Sequence, residues 1–231
     1  MNGCCDAQRR AGLIVSAALR DAGREARVGS AVGAVALAAC RSVIRLGGEL
    51  VFRDAGGSED VALLVNGVQA TGNSTEHLRD GDLISLDVGC RWRGWCADAA
   101  RTWRVSADGR SEDPLLSTTR QALRLGIESV ARSGGHWAAA AKEVRSFVQG
   151  FGEKLRAELT GHGIGRELHE DPVFGGEAGW ISAAFGRGFA VELSVWREFV
   201  GGRARNQRPE RFQFEETVWF GAGGVEILTS V

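Results

Sequence analysis

Acidic side chains set inside apolar, strand-like runs constrain this chain more than any other feature of its sequence. Asp87 lies in Ile84-Ser85-Leu86-Asp87-Val88-Gly89, and Asp98 follows eleven residues later in Ala97-Asp98-Ala99-Ala100-Arg101-Thr102. Glu192 interrupts Phe189-Ala190-Val191-Glu192-Leu193, and Glu215 interrupts Phe212-Gln213-Phe214-Glu215. Between these pairs, Gly161-His162-Gly163-Ile164-Gly165 places an imidazole among glycines that would let the backbone turn tightly. Bare charges are costly to bury. Two divalent cations would neutralise this set. Four carboxylates and one imidazole, without thiolates, suit Mn, Fe(II), Co or Zn and not a structural zinc site. For Asp87 or Asp98 taken alone, pairing with an arginine such as Arg101 is the competing explanation.

With 231 residues the chain can build one large core, and no linker divides it. We expect residues 1–10 to be a disordered terminus and residues 11–231 to form a single domain. The balance of 28 basic and 29 acidic residues gives no nucleic-acid surface. No stretch approaches the roughly 20 apolar residues that cross a bilayer. The polar segment from Met1 to Arg10 lacks an apolar export core, and five cysteines form no disulfide framework. A cytoplasmic monomer, with no nucleic-acid or membrane partner, is therefore expected. Cys4-Cys5 is read as incidental. The chain has no tyrosine.

Apolar spacing predicts an amphipathic helix over residues 7–27 and a second over 31–45, with Ser30 as N-cap and Gly47-Gly48 at its end. Short strands are expected at 49–53 and 61–65. Residues 82–104 read as a β-hairpin turning near Arg91 to Gly94, which puts Asp87 and Asp98 on facing strands. Helices at 114–133 and 136–156 precede strand-like runs at 188–195, 211–220 and 225–229. Two helices followed by acid-bearing strands thus occur twice, although no repeat is visible in the residues themselves.

These segments, in this order, resemble the methionine aminopeptidases of the short bacterial type, within the pita-bread metallopeptidases. Asn66, Gly81-Asp82, Leu86 to Gly89, Asp98 to Thr102, and Gly161 to Arg166 continuing to His169-Glu170-Asp171-Pro172 carry the likeness. Phe214-Glu215 and Glu226-Ile227-Leu228-Thr229 complete it. It runs from about Ala11 to Val231. The resemblance implies an α+β pita-bread (creatinase/aminopeptidase) fold, a pseudo-twofold antiparallel sheet with helices on its outer face. It implies two divalent cations, bridged by Asp98 and Glu215, with Asp87 completing one set and His162 and Glu192 the other. It further implies hydrolysis of an N-terminal residue through a metal-bridging hydroxide, with Glu192 as proton shuttle and His169 as oxyanion donor. His77 and His136 match nothing and are expected to face solvent. Trp95, Trp103 and most other tryptophans are expected in the core. Trp196 is a candidate substrate contact, and Trp219 is open between the two roles.

The chain departs from the family pattern where the substrate would sit. The family histidine that contacts the scissile amide nitrogen is absent; Thr71 stands in its place when aligned from Asn66, or Gln69 when counted back from Asp87. Losing a positioned proton-transfer group costs about 10²–10⁴-fold in rate. Glu192 is followed by Leu193-Ser194 where the family has proline, and Glu215 by Glu216 where it has histidine. Strand alternation directs Glu216 away from Glu215. Glu215 follows Glu192 by only 23 residues, so a flanking loop is short. The substrate is then a peptide N-terminus or, alternatively, a small amino-acid-derived molecule on a specialised pathway. A non-catalytic binding module is the third possibility, and it would have no use for the charge cluster.

Overall fold

The computed structural model describes residues 2–53, 59–107, 113–175, 186–198, 209–221 and 224–230, with side chains from residue 6 onward. Helix α1 (Asn2–Glu25) buries Ala11, Ile14, Val15, Ala18, Leu19 and Ala22, the stripe its three- and four-residue spacing dictates. It begins at Asn2, inside the segment of residues 1–10 expected to be a disordered terminus. The reason is Gln8, a fully buried side chain whose Nε2 donates to the carbonyls of Cys96 at 2.9 Å and Ile164 at 3.0 Å. Those two carbonyls belong to different halves of the molecule, so the first turns of α1 are pinned across both. Helix α2 (Val32–Arg45) starts at Ala31 with no side-chain cap, so Ser30 does not serve as the N-cap expected.

Strands β1 (Glu49–Leu50), β2 (Ala62–Val65) and β3 (Val68–Ala70) lead to the long hairpin of β4 (Leu83–Trp92) and β5 (Trp95–Arg104). Its turn is Arg93-Gly94, both at positive φ (48° and 74°), the two-residue geometry that matches the twist of antiparallel strands. The pairing Trp92↔Trp95 fixes the register, placing Asp87 opposite Ala100 and Asp98 opposite Gly89. Both β1 and β2 pair with β4, and β3 pairs with β2.

The second half repeats the plan. Helix α3 (Pro114–Arg132) is capped by Asp113, which accepts from the Leu115 N–H at 3.0 Å, with Pro114 at the first helical position. Helix α4 (Trp137–Gln149) is capped by His136, whose Nδ1 accepts from the Ala139 N–H at 3.2 Å. His136 is thus a helix cap as well as partly exposed. The helix also ends before residue 156, because Leu155 already begins β6 (Leu155–Ile164). The second sheet runs β10 (Gly224–Ile227), β9 (Glu210–Gly221), β8 (Arg187–Arg197), β6, β7 (Glu170–Phe174).

Each helix pair covers one sheet with its own core. Beneath α1 and α2 lie Leu63, Ile84, Leu86 and Val88; beneath α3 and α4 lie Phe189, Val191, Phe212 and Phe214, and Trp137 of α4 stacks on Phe174 at 4.9 Å. Among the described residues no helix is long and apolar enough to cross a membrane. The sheets meet where β5 runs antiparallel beside β9, and threonine hydroxyls join them. Thr217 Oγ1 accepts from the Asp98 N–H and donates to the Asp98 carbonyl, both at 2.7 Å. Thr102 Oγ1 does the same for Gln213, at 2.9 Å each. Asp98 precedes Thr102 by the spacing at which Gln213 precedes Thr217. The two halves therefore exchange identical contacts about a local pseudo-twofold axis.

Candidate metal centre

Alternation along four strands brings the predicted acids to one face. On β4, Ile84, Leu86 and Val88 point to the helices, so Ser85 and Asp87 point away from them. On β9, Phe212, Phe214 and Val218 are in the helix-side core, so Arg211, Gln213, Glu215 and Thr217 face the other way. Glu192 on β8 lies opposite Glu215, and Thr160 on β6 opposite Glu192. Asp98, His162 and Glu215 are all buried, each offering a donor atom within 4.8 Å of the others. His162 Nε2 stands 3.9 Å from Glu192 Oε1.

His162 does not sit in a turn. Gly161 and Gly163 are strand residues without positive φ. A Cβ at Gly161 would come within 2.4 Å of the Ala190 carbonyl oxygen, and one at Gly163 within 2.6 Å of that of Asp171. The glycines thus permit close strand approach, not tight turning. A register shift against β7 falls between His162 and Gly163, a break in the ladder of the kind that re-aims a side chain. His162 Nδ1 lies 2.9 Å from the Gly163 carbonyl, which directs the Nε2 lone pair into the cluster.

The electrostatics of this cluster without cations are unfavourable. Asp87 is held well above the usual carboxylate range by burial and then by the Asp98 charge. Burial, with Glu192 nearby, pushes Asp98 up to about 7. Glu215 is raised by burial and by Asp98, Asp87 and Glu192. Glu192 is raised by burial, tempered by His169 and Arg211. Three buried oxygens, Asp87 Oδ1, Asp98 Oδ1 and Glu215 Oε1, accept no hydrogen bond. Buried acceptors without donors are rare and costly. A hard cation meets that need, so the residues present fit divalent metals.

The remaining candidates stand at the rim. His169 is exposed in the β6–β7 loop, its ring 4.5 Å from that of His162. Burial and the His162 ring lower its pKa, favouring the neutral imidazole. Thr71 is exposed one residue past β3 and donates to Asn73 Oδ1 at 2.6 Å. If the β3–β2 pairing continued by one step it would lie opposite Ala62, whose own partner is Asp87. Gln69 is likewise exposed. Trp196 shares the face of Glu192, four residues along β8, under the Arg211 guanidinium at 5.7 Å. Glu216 points to the opposite face and pairs with Arg101 and the Thr229 hydroxyl. Arg101 thus neutralises Glu216, and the competing pairing of Asp87 or Asp98 with it does not occur.

Two residues escaped sequence reasoning. Arg211, whose Nε and Nη2 donate to Ser194 Oγ at 3.1 and 2.9 Å, carries a charge felt by both Asp87 and Glu192. Its signal was there: four residues before Glu215 is the same strand face. Thr217 could not have been found, because the seam it forms joins segments 119 residues apart.

Among the described residues, two sheets under paired helices gather carboxylates and one imidazole between the halves, and this defines a pita-bread metallohydrolase architecture. The chain belongs to metallopeptidase family M24, whose sequence pattern it matches over residues 6–227. It is similar to methionine aminopeptidase 1 of Mycobacterium tuberculosis, 33% identical over 192 residues, covering 74% of this chain and 68% of that protein. The match to the methionine aminopeptidase of Borreliella burgdorferi is 37% identical but spans only 41% of this chain and 38% of that relative. Among solved structures, the methionine aminopeptidase of Thermotoga maritima superposes with a TM-score of 0.84 at 23% identity, covering 100% of this chain and 98% of that one. The prolidase of Pyrococcus furiosus gives 0.76 at 19% identity, covering 100% and 65%.

Proposed function

We propose that this protein is a dinuclear-metal hydrolase that removes an N-terminal residue from peptides, with weakened or shifted specificity. The observation that carries the reading is the trio of donorless buried oxygens on Asp87, Asp98 and Glu215. Asp98 and Glu215 would be shared by two cations, with Asp87 completing one set and His162 and Glu192 the other. Mn, Fe(II), Co or Zn bound there would polarise a scissile carbonyl and acidify a water near neutral pH.

The chain's own groups supply the rest. Glu192 is 29% exposed and sits against the Thr160 hydroxyl, placed to take a proton and return it. His169, neutral and solvent-accessible beside His162, can donate its N–H to oxygen charge as that charge develops. Thr71 has a hydroxyl already given to Asn73 and cannot relay a proton as an imidazole would. Steady-state cleavage of Met-Ala-Ser with each of the four metals tests the reading. Metal-dependent turnover is expected, with kcat reduced by about 10²-fold or more in His169→Ala. Absence of cleavage with every metal would overturn peptide hydrolysis.

A second reading, a small amino-acid-derived substrate, is favoured by one observation. Arg211, held by Ser194 on the face of β9 that carries Glu215, adds a positive charge felt by Asp87 and Glu192, and it could bind a substrate carboxylate that an internal peptide segment lacks. Preference for substrates with a free carboxylate, lost in Arg211→Ala, would distinguish it.

A further inference from the structure

A cavity of about 870 Å³ opens on the helical side of the molecule, between α1, α3 and β5, away from the candidate metal centre. Six of its lining residues are arginine: Arg20, Arg24, Arg27, Arg101, Arg104 and Arg120. Among the described lining residues none is acidic. Arg20 and Arg24 share one edge of the end of α1 at the i, i+4 spacing, and Arg27 follows two residues past the helix. Arg120 approaches from α3.

The charges differ in how they are satisfied. Arg101 is paired with Glu216, Arg104 with Asp113 and Glu210, and Arg24 with Asp21. Arg20, Arg27 and Arg120 carry no ion pair with any described residue, and all three are exposed. Arg101 and Arg120 both hold their guanidinium carbons within 6 Å of the Phe214 ring centroid, at 5.9 and 5.5 Å. With Arg24, Arg101 and Arg104 already paired, the net positive charge around the concavity comes from Arg20, Arg27 and Arg120, and it favours a ligand of opposite sign. The volume lies in the range of small-ligand sites.

We propose that this cavity binds a small polyphosphate-bearing anion, a nucleoside triphosphate or an inorganic polyphosphate. Guanidinium forks match phosphate oxygens two at a time, and three that pair with no described acid suit a ligand with several phosphates. The floor residue Arg101 also donates through Nη1 to the Glu215 carbonyl at 2.7 Å, so the occupied cavity would touch the strand bearing a candidate metal ligand.

Calorimetric titration of the full chain with tripolyphosphate, ATP and AMP at near-physiological salt tests the site. One-to-one binding of tripolyphosphate or ATP is expected, tighter than AMP. Arg20→Ala and Arg120→Ala, both exposed substitutions, should each weaken it about tenfold or more. Asp98→Asn should leave it unchanged, which separates this cavity from phosphate captured at the metal centre. Binding by ATP but not tripolyphosphate would assign the nucleotide as ligand, and equal binding the polyphosphate group alone. No binding, binding insensitive to Arg20 and Arg120, or binding only to single-stranded RNA with affinity growing with length would overturn the proposal.

Discussion

At the scale of single residues, burial and charge decide what the site can tolerate. Asp87, Asp98 and Glu215 all hold their protons more tightly folded than unfolded. The stability they allow is fully present below the unfolded value of 3.8 to 4.5 and is lost as pH rises through the folded values, about 7 for Asp98. Metal-free protein is therefore expected to melt lower at pH 8 than at pH 5.5 by circular dichroism. Metal-loaded protein should show the opposite trend, since cations hold the carboxylates ionised and acid releases them. Thr71→His should raise kcat for Met-initiated peptides more than it lowers KM, because proton transfer to the leaving amine belongs to the transition state. An unchanged kcat would mean that the site is built around another substrate. The four acids were legible because each breaks an apolar run, and His162 because glycines flank it on both sides. Arg211 shares the strand face of Glu215 four residues on, but an arginine at a strand end looks like any solvated charge until the β8–β9 pairing sets it against Ser194 and Trp196.

At the scale of elements, the β5–β9 seam holds the metal face together. Thr217→Val would leave the Asp98 N–H and carbonyl without their partner, at a cost of about 1–3 kcal/mol. Thr102→Val, its pseudo-symmetric counterpart, should cost a similar amount through Gln213. Urea denaturation checks both. Only Thr217→Val should also weaken divalent-ion binding, because it alone frees the strand at Asp98. Equal metal affinity in the two variants would sever the seam from the site. The hairpin was readable because Arg93-Gly94 and alternating apolar residues act locally. The start of α1 was not, because Gln8 is ordered by carbonyls far away in sequence. Helix α4 stops at the Gly150 cap, a signal the sequence carries, and pairing with β8 makes Leu155 a strand residue.

At the scale of the whole molecule, two helix-covered sheets present an acidic cluster between them and a basic cavity on the helical side. The duplicated order of helices and strands could be read along the chain. The joining of its halves could not, since it rests on side-chain hydroxyls and not on a backbone ladder. Nor could the cavity, whose arginines come from α1, β5 and α3. The central claim is that Asp87, Asp98, His162, Glu192 and Glu215 form a divalent-metal centre. Titration calorimetry of Mn(II) into metal-free protein tests it most directly, with Asp98→Ala as the comparison. The account predicts binding of up to two ions by the intact chain and loss of the paired site in the variant. An intact, folded chain that takes up no divalent ion would contradict it.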